Sequence, residues 1–367
     1  MMVHLKYIFL ITFFFYSCNN ESNDIGQVND LNNKSGIELI ENANIQYENY
    51  KTINILGDDR ENFIGFVKEI DVDNHGNIYV LDDRQQKVFV YDVSGDLKQT
   101  LGGRGSGPGE LSFARSLTVY QDSLLLISNR FRIEEFKITE DSTYYHRTVQ
   151  LNLNIKSICS AGGNLFVHNG DLIRSGAIDE RGLNAEMIHK INLPDYEREY
   201  SFGESYASDS PVMIDRLSLG QIICNSDNNV LIYLSDRINS IHGYSTDNGE
   251  QLWKSKINDL NFPEFEEIVV NGNPGLQLVP PENNVFDNIL SPVILQNDIM
   301  LIQVDRREMA NPNAYDSKES VITYLADLHY GEIYHYSNNL GRVIYYSDNI
   351  LLEVNELFNK VHVKIAI

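Results

Sequence analysis

The chain has 367 residues, enough for two or three average domains or for one all-β ring, and sets 29 Lys and Arg against 52 Asp and Glu for a formal charge of −23. An acidic balance of that size repels nucleic acid and anionic lipid unless a local basic run overrides it, and no such run is present. Nucleic acid is therefore not expected as a partner.

The first element is "MMVHLKYIFLITFFFYSCNN". Lys6 gives the positive start, residues 7–16 form an apolar run, and Ser17 precedes Cys18. The run is shorter than the ~20 residues needed to span a bilayer, so it reads as a cleaved bacterial lipoprotein signal with lipidation at Cys18, or as a plain secretory signal cut nearby. The expected division is a signal at 1–17, a polar Asn-rich tether at 18–43, and one folded unit at 44–367. The expected location is the cell envelope, on the periplasmic or surface side of the outer membrane, with the membrane touched only through the anchor. Cys159 and Cys224 each sit in an apolar, strand-like run where a small buried thiol is the simplest assignment; a disulfide is permitted in an exported protein.

Beyond the tether a unit repeats. A polar turn followed by three or more apolar residues recurs around Asn77, Ser123, Asn164, Asn229, Asp298 and Asn349, at intervals of 46, 41, 65, 69 and 51 residues. A second turn follows the first three at an offset of 18 (Gly95, Asp141, Gly182), and the next two at Gly249 and Gly331. Asx-Gly turns between alternating apolar runs are hairpin signals because Gly and Asn accept positive φ. Each unit thus holds four strands, and the spacing is that of propeller blades. The sixth unit ends after three strands. The segment "YKTINILGDDRENF" (50–63) lines up with "LKQTLGGRGSGPGELSF" (97–113), so an N-terminal strand is expected to complete the last blade and remove its open edge. The fold class is all-β: a six-bladed β-propeller of four-stranded antiparallel blades, with its ring closed in this way.

"LGGRGSGPGEL" (101–111) looks like a phosphate cradle. Gly102 and Gly107 have the P-loop spacing, but Pro108 and Gly109 stand where Lys and Ser or Thr are required, and Pro108 has no N–H to offer an anion. The stretch reads instead as a connector from the outer strand of one blade to the inner strand of the next. "DVDNHGNIYVLD" likewise mimics a calcium loop through Asp71, Asp73, His75, Gly76 and Asp82, yet its flanks have strand period and His75 is a poor calcium ligand, so a hairpin turn is expected.

With "FVKEIDVDNHGNIYVLDDRQQKVFVYDVSGDLKQTLGGRGSGPGELSF" in view, the first unit resembles an NHL repeat in its apolar inner strand, D-x-x-G-N-I-Y-V-x-D core, S-G turn and Gly-rich connector ending in Phe. The whole chain looks similar to bacterial six-bladed propeller lipoproteins related to NHL and TolB-like propellers. That likeness implies binding of proteins, glycans or small molecules, and some six-bladed relatives are calcium-dependent lactonases or other hydrolases.

Chain direction alternates within a blade, so loops between strands two and three open on the same face as the connectors between blades. The long connectors 194–216 and 258–288 and the 305–319 loop are expected there. Their aromatics, including Tyr196, Tyr200, Phe202, Tyr206, Phe262, Phe265 and Tyr315, either wall a pocket or pack on one another. Arg84, Arg130, Arg132, Arg237, Arg306 and Arg307 fall at the second-to-third loops of four blades. They would form a cationic rim for a carboxylate, sulfate or uronate, or else pair with their acidic neighbours. Nucleophile motifs are absent, and His329 and His335 are a weak metal signal. The expected function is a binding module for an anionic glycan, peptide or protein, with no cofactor; the alternative is a calcium-dependent lactonase or hydrolase.

Overall fold

The computed structural model describes residues 28–29, 50–57, 62–175, 178, 185–257, 259–270, 272–295, 298–309, 317–336, 340–347 and 350–366. The signal, Cys18, Gly182, Tyr315 and Asn349 lie outside the described residues. So does the tether, apart from Val28–Asn29, which pairs in parallel with Ile333 and Tyr334.

The chain is a six-bladed β-propeller. Blade 1 is Val67–Val72, Ile78–Asp82, Lys87–Tyr91 and Leu97–Gly102 from axis to rim, and blade 2 is Ala114–Tyr120, Leu124–Asn129, Arg132–Ile138 and Thr143–Gln150. Blade 3 is Ile155–Ala161, Asn164–Asn169, Glu186–Asn192 and Glu197–Glu204, and blade 4 is Gly220–Asn225, Val230–Ser235, Ile241–Ser245 and Gln251–Ser255. Blade 5 is built on Ile299–Met309, Ser317–Asp327 and Ile333–Tyr336, with Val293–Ile294 and Val285–Ile289 both on its inner side. Blade 6 is Arg342–Tyr346, Ile350–Val354 and Val361–Ala366, completed by Tyr50–Leu56. The closing register sets Leu56 against Val361 and Tyr50 against Ala366, with one slip between Thr52 and Asn54.

The hydrophobic pattern follows from this stacking. Middle strands are covered on both faces by neighbouring blades, so Ile78–Asp82 and Val230–Ser235 are buried at every position, whereas rim strands such as Leu97–Gly102 bury little. Apolar clusters occupy all six junctions between blades, including blade 6 to blade 1, where Leu352 and Val363 meet Ile78 and Val80. Each fully buried Ile, Val or Leu there contributes about 1.5–3 kcal/mol relative to exposure. Trp253 adds a polar tie across the blade 4 to 5 junction by donating its indole N–H to the Leu328 carbonyl at 2.6 Å.

The glycine-rich stretch is a connector. Gly102 turns at φ 75°, where a Cβ would lie 2.7 Å from Leu111, and the chain is tied by the Gly105 N–H to the Leu111 carbonyl at 3.0 Å. Val67–Val72 and Ile78–Asp82 form the hairpin at the calcium-like motif; buried Asp73 accepts bonds from the His75 and Asn77 N–H groups, the Asn77 amide and the Tyr79 hydroxyl.

Three expectations change. Counting 18 residues from Asn164 makes residues 185–193 the outer strand of blade 3, but Glu186–Asn192 pairs on both sides and is the third strand. The extra residues between strands two and three displaced the count, and the true outer hairpin turns at the cis Leu193–Pro194 bond, with Tyr196 at φ 59°. Tyr196, Tyr200 and Phe202 therefore belong to that hairpin and not to the connector, and Tyr196 and Phe202 are buried. The long 305–319 loop is largely a hairpin extending the two middle strands of blade 5, paired out to Met309 and Ser317. The cysteines, finally, are joined: Cys159 and Cys224 form a disulfide between the innermost strands of blades 3 and 4.

Candidate functional site

The innermost strands enclose an axial channel of about 370 Å³. Its wall is laced by side chains that reach from one blade to the backbone of the next. Glu69 accepts the Leu117 N–H at 2.7 Å, Ser116 accepts the Ile158 N–H at 3.0 Å, and Ser157 accepts the Ile222 N–H at 2.9 Å. These three positions are equivalent, because each follows a β-bulge at the start of its strand. The bulge inserts one extra residue and re-aims it. In blades 1, 2 and 3 that residue is Lys68, Arg115 and Lys156, and all three line the channel.

Lys156 pairs with Asp236 at 3.0 Å, while Lys68 and Arg115 have no ion pair or side-chain hydrogen bond among the described residues. They stand at the end of the channel that meets the blade connectors, since each inner strand starts there. One and three residues farther along the first inner strand are Glu69 and Asp71. Asp71 accepts the Val119 N–H at 2.7 Å and the Val72 N–H at 2.9 Å. Burial is the main cause that pushes Glu69 up to about 7 and Asp71 up to about 6, opposed at Glu69 by the Ser116 side chain, the Leu117 N–H and the Lys68 charge and at Asp71 by the Val119 and Val72 N–H groups. Each keeps an edge on the channel by accessible area, so water there moderates the cost of ionising them.

A second recess of about 510 Å³ adjoins the cationic end, and Lys68, Arg84, Arg237, Arg307 and Arg342 are among its walls. A third, also about 510 Å³, lies between a short helix, α1 (Pro211–Leu217), and the hairpin of Glu264–Val270 and Asn273–Val279. Helix α1 starts where Ser210 accepts the Met213 N–H, and its buried Asp215 accepts the Leu172 and Ile173 N–H groups at 2.7 and 3.3 Å, pinning the blade 3 loop.

The rim arginines divide by partner. Arg84 and Arg237 are exposed with no side-chain partner among the described residues, and Arg237 lies between the second and third recesses. Arg307 is largely exposed and shares Glu319 at 3.3 Å. Arg130 stacks on Phe113 and Phe131 at 5.1 and 5.0 Å. Arg132 is committed to structure, bonded to Glu134 at 2.6 Å and to the Ser106 and Glu110 carbonyls of the connector. Arg306 is committed likewise, held by both oxygens of Asp287 at 2.8 Å and by the Asp259 carbonyl. Phe265 lines the third recess, and half-buried Tyr206 donates its N–H to Ser218.

The channel cations were missed from sequence, although a signal exists. The tetrads "VKEI", "ARSL" and "IKSI" place apolar, basic, polar and apolar residues at 67–70, 114–117 and 155–158. Among the described residues, no three His, Cys, Asp or Glu side chains converge as metal ligands, and no helix is long and apolar enough to cross a membrane.

A family model described as a 6-bladed beta-propeller matches residues 17–175. The chain is similar to that family over the closing strand of blade 6, blades 1 and 2, and the two inner strands of blade 3. Among solved structures it is similar to a Bacteroides fragilis protein described as exported, at 12% identity and a TM-score of 0.52, over 83% of this chain and 84% of that one. It is also similar to a member of the DUF4221 family from Bacteroides vulgatus, at 9% identity and a TM-score of 0.51, over 86% and 97%. At these identities the likeness is one of fold. No curated protein matches the chain by sequence.

Proposed function

We propose that this propeller is a binding module whose connector-bearing face takes an anionic group at the axial mouth. The observation that carries this reading is the gathering of unpaired cations, Lys68, Arg84, Arg115 and Arg237, around two adjoining recesses on a chain of formal charge −23. Guanidinium and ammonium groups without internal partners, in a cavity of the size that small ligands occupy, are the ordinary means of holding a carboxylate or sulfate. Of the acids on these walls, Asp236 and Asp305 are paired with Lys156 and Arg342, and Glu69 and Asp71 accept backbone N–H groups of blade 2, which leaves exposed Glu356 in the second recess against the four cations.

The working location is the cell envelope, with Cys18 carrying the lipid. Two features support it: the N-terminal apolar run ending in Ser-Cys, and a disulfide, which persists in oxidising compartments. Incorporation of labelled fatty acid that disappears in Cys18→Ala tests the anchor. Titration calorimetry with galacturonate, sulfate and acidic or neutral peptides tests the site. Binding that weakens with salt and is lost in Lys68→Ala/Arg84→Ala/Arg115→Ala is expected, and a triple variant that binds as wild type overturns the assignment.

A further inference from the structure

The channel has opposite charges at its two ends. Lys68 and Arg115 stand unpaired at the connector end, with Lys156 beside them. Glu69 directly follows Lys68 at that end; farther along the same wall is Asp71, and the turns beyond it carry Asp73 and Asp122, the latter accepting the Asn74 N–H at 2.9 Å. A polyanion lying along the axis would gain at one end and be repelled at the other. A ligand negative at one end and positive at the other gains at both.

Resting on the anion-binding reading above, we propose that the axial channel takes a short zwitterionic peptide lengthwise, its carboxylate at Lys68 and Arg115 and its ammonium end toward Asp71. Lys68 and Asp71 are three residues apart on one strand, about 10 Å at ~3.3 Å per residue, and an extended tripeptide has about the same reach. Asp71 can accept an ammonium while keeping its backbone bonds, because a carboxylate offers about four lone-pair sites and the Val72 and Val119 N–H groups occupy two. Both rows of side chains are fixed by the inner strands, so the ends of the ligand are read by rigid elements.

Titration calorimetry with tri-alanine, N-acetyl-tri-alanine, tri-alanine amide and tri-glutamate tests this on the intact chain. Tri-alanine binds, and blocking either terminus weakens binding about tenfold or more, the value of one charge-assisted hydrogen bond. Tri-glutamate binds more weakly than tri-alanine. Asp71→Asn, which keeps an acceptor for the Val119 N–H, weakens tri-alanine and leaves N-acetyl-tri-alanine unchanged, whereas Lys68→Ala/Arg115→Ala weakens both. If N-acetyl-tri-alanine or tri-glutamate binds as tightly as tri-alanine, the zwitterion proposal is overturned while the anion site stands. If no carboxylate-bearing probe binds, both readings fall.

Discussion

The disulfide between Cys159 and Cys224 closes a loop of 65 residues and staples the innermost strands of blades 3 and 4. Replacing both with Ala releases that loop in the unfolded chain. The chain-entropy relation gives about 4 kcal/mol for a loop of this length. Unfolding entropy near 60 °C is about 2.1 cal/mol/K per residue, or roughly 0.7 kcal/mol/K over roughly 320 residues, so the melting temperature should fall by about 6 °C. Both sulfurs lie at the packed junction of the two blades, and the small voids left by Ala deepen the loss without changing its sign. Calorimetric melts of wild type, the double variant and wild type under reductant form the assay, with thiol titration of the native protein beside them. A double variant melting within a degree of oxidised wild type, or two titratable thiols in protein made under oxidising conditions, would refute the reasoning.

Other outcomes follow from named groups. Glu69, raised from 4.5 to about 7, contributes stability that is full below about pH 4.5 and is lost as pH climbs through about 7. Glu69→Gln keeps an acceptor for the Leu117 N–H, so its melting temperature should gain on wild type as pH goes from 5 to 8; equal slopes would contradict the shift. His168, His189 and His242 are each lowered to about 4, chiefly by burial, so their contribution is present above pH 6.5 and is lost as pH falls toward 4. Acid melts between pH 6.5 and 4 should show that decline, and a His242→Gln variant should reduce it. Arg306→Ala leaves the buried Asp287 carboxylate without its guanidinium and should cost about 3–5 kcal/mol, whereas Arg84→Ala should stay within about 0.5 kcal/mol, as denaturant titration will show. Removing residues 1–57 strips the partner of Val361–Ala366 and exposes a strand edge, so the truncated chain should associate on size exclusion; a stable monomer with wild-type melting would count against strand closure.

Repeat period, turn chemistry and the incomplete sixth unit determined the architecture, because each depends on local backbone preference and on alternation along one strand. Six blades, closure by residues 50–56 and the connector role of 101–111 were legible on those grounds. The count failed in blade 3, where a local insertion imitated the regular offset and hid the turn at Pro194. Whether an arginine is free or committed could not be read at all: Arg84 and Arg306 both follow the second-strand motif in sequence, but Arg84 lies in a turn while Arg306 lies in a paired strand where the preceding connector brings it the Asp287 carboxylate and the Asp259 carbonyl. The channel cations and the disulfide were decided by the ring. A bulge within a repeated tetrad turns Lys68, Arg115 and Lys156 inward, but only the closed ring gathers them about one axis, and only packing blade 4 on blade 3 brings together two cysteines 65 residues apart.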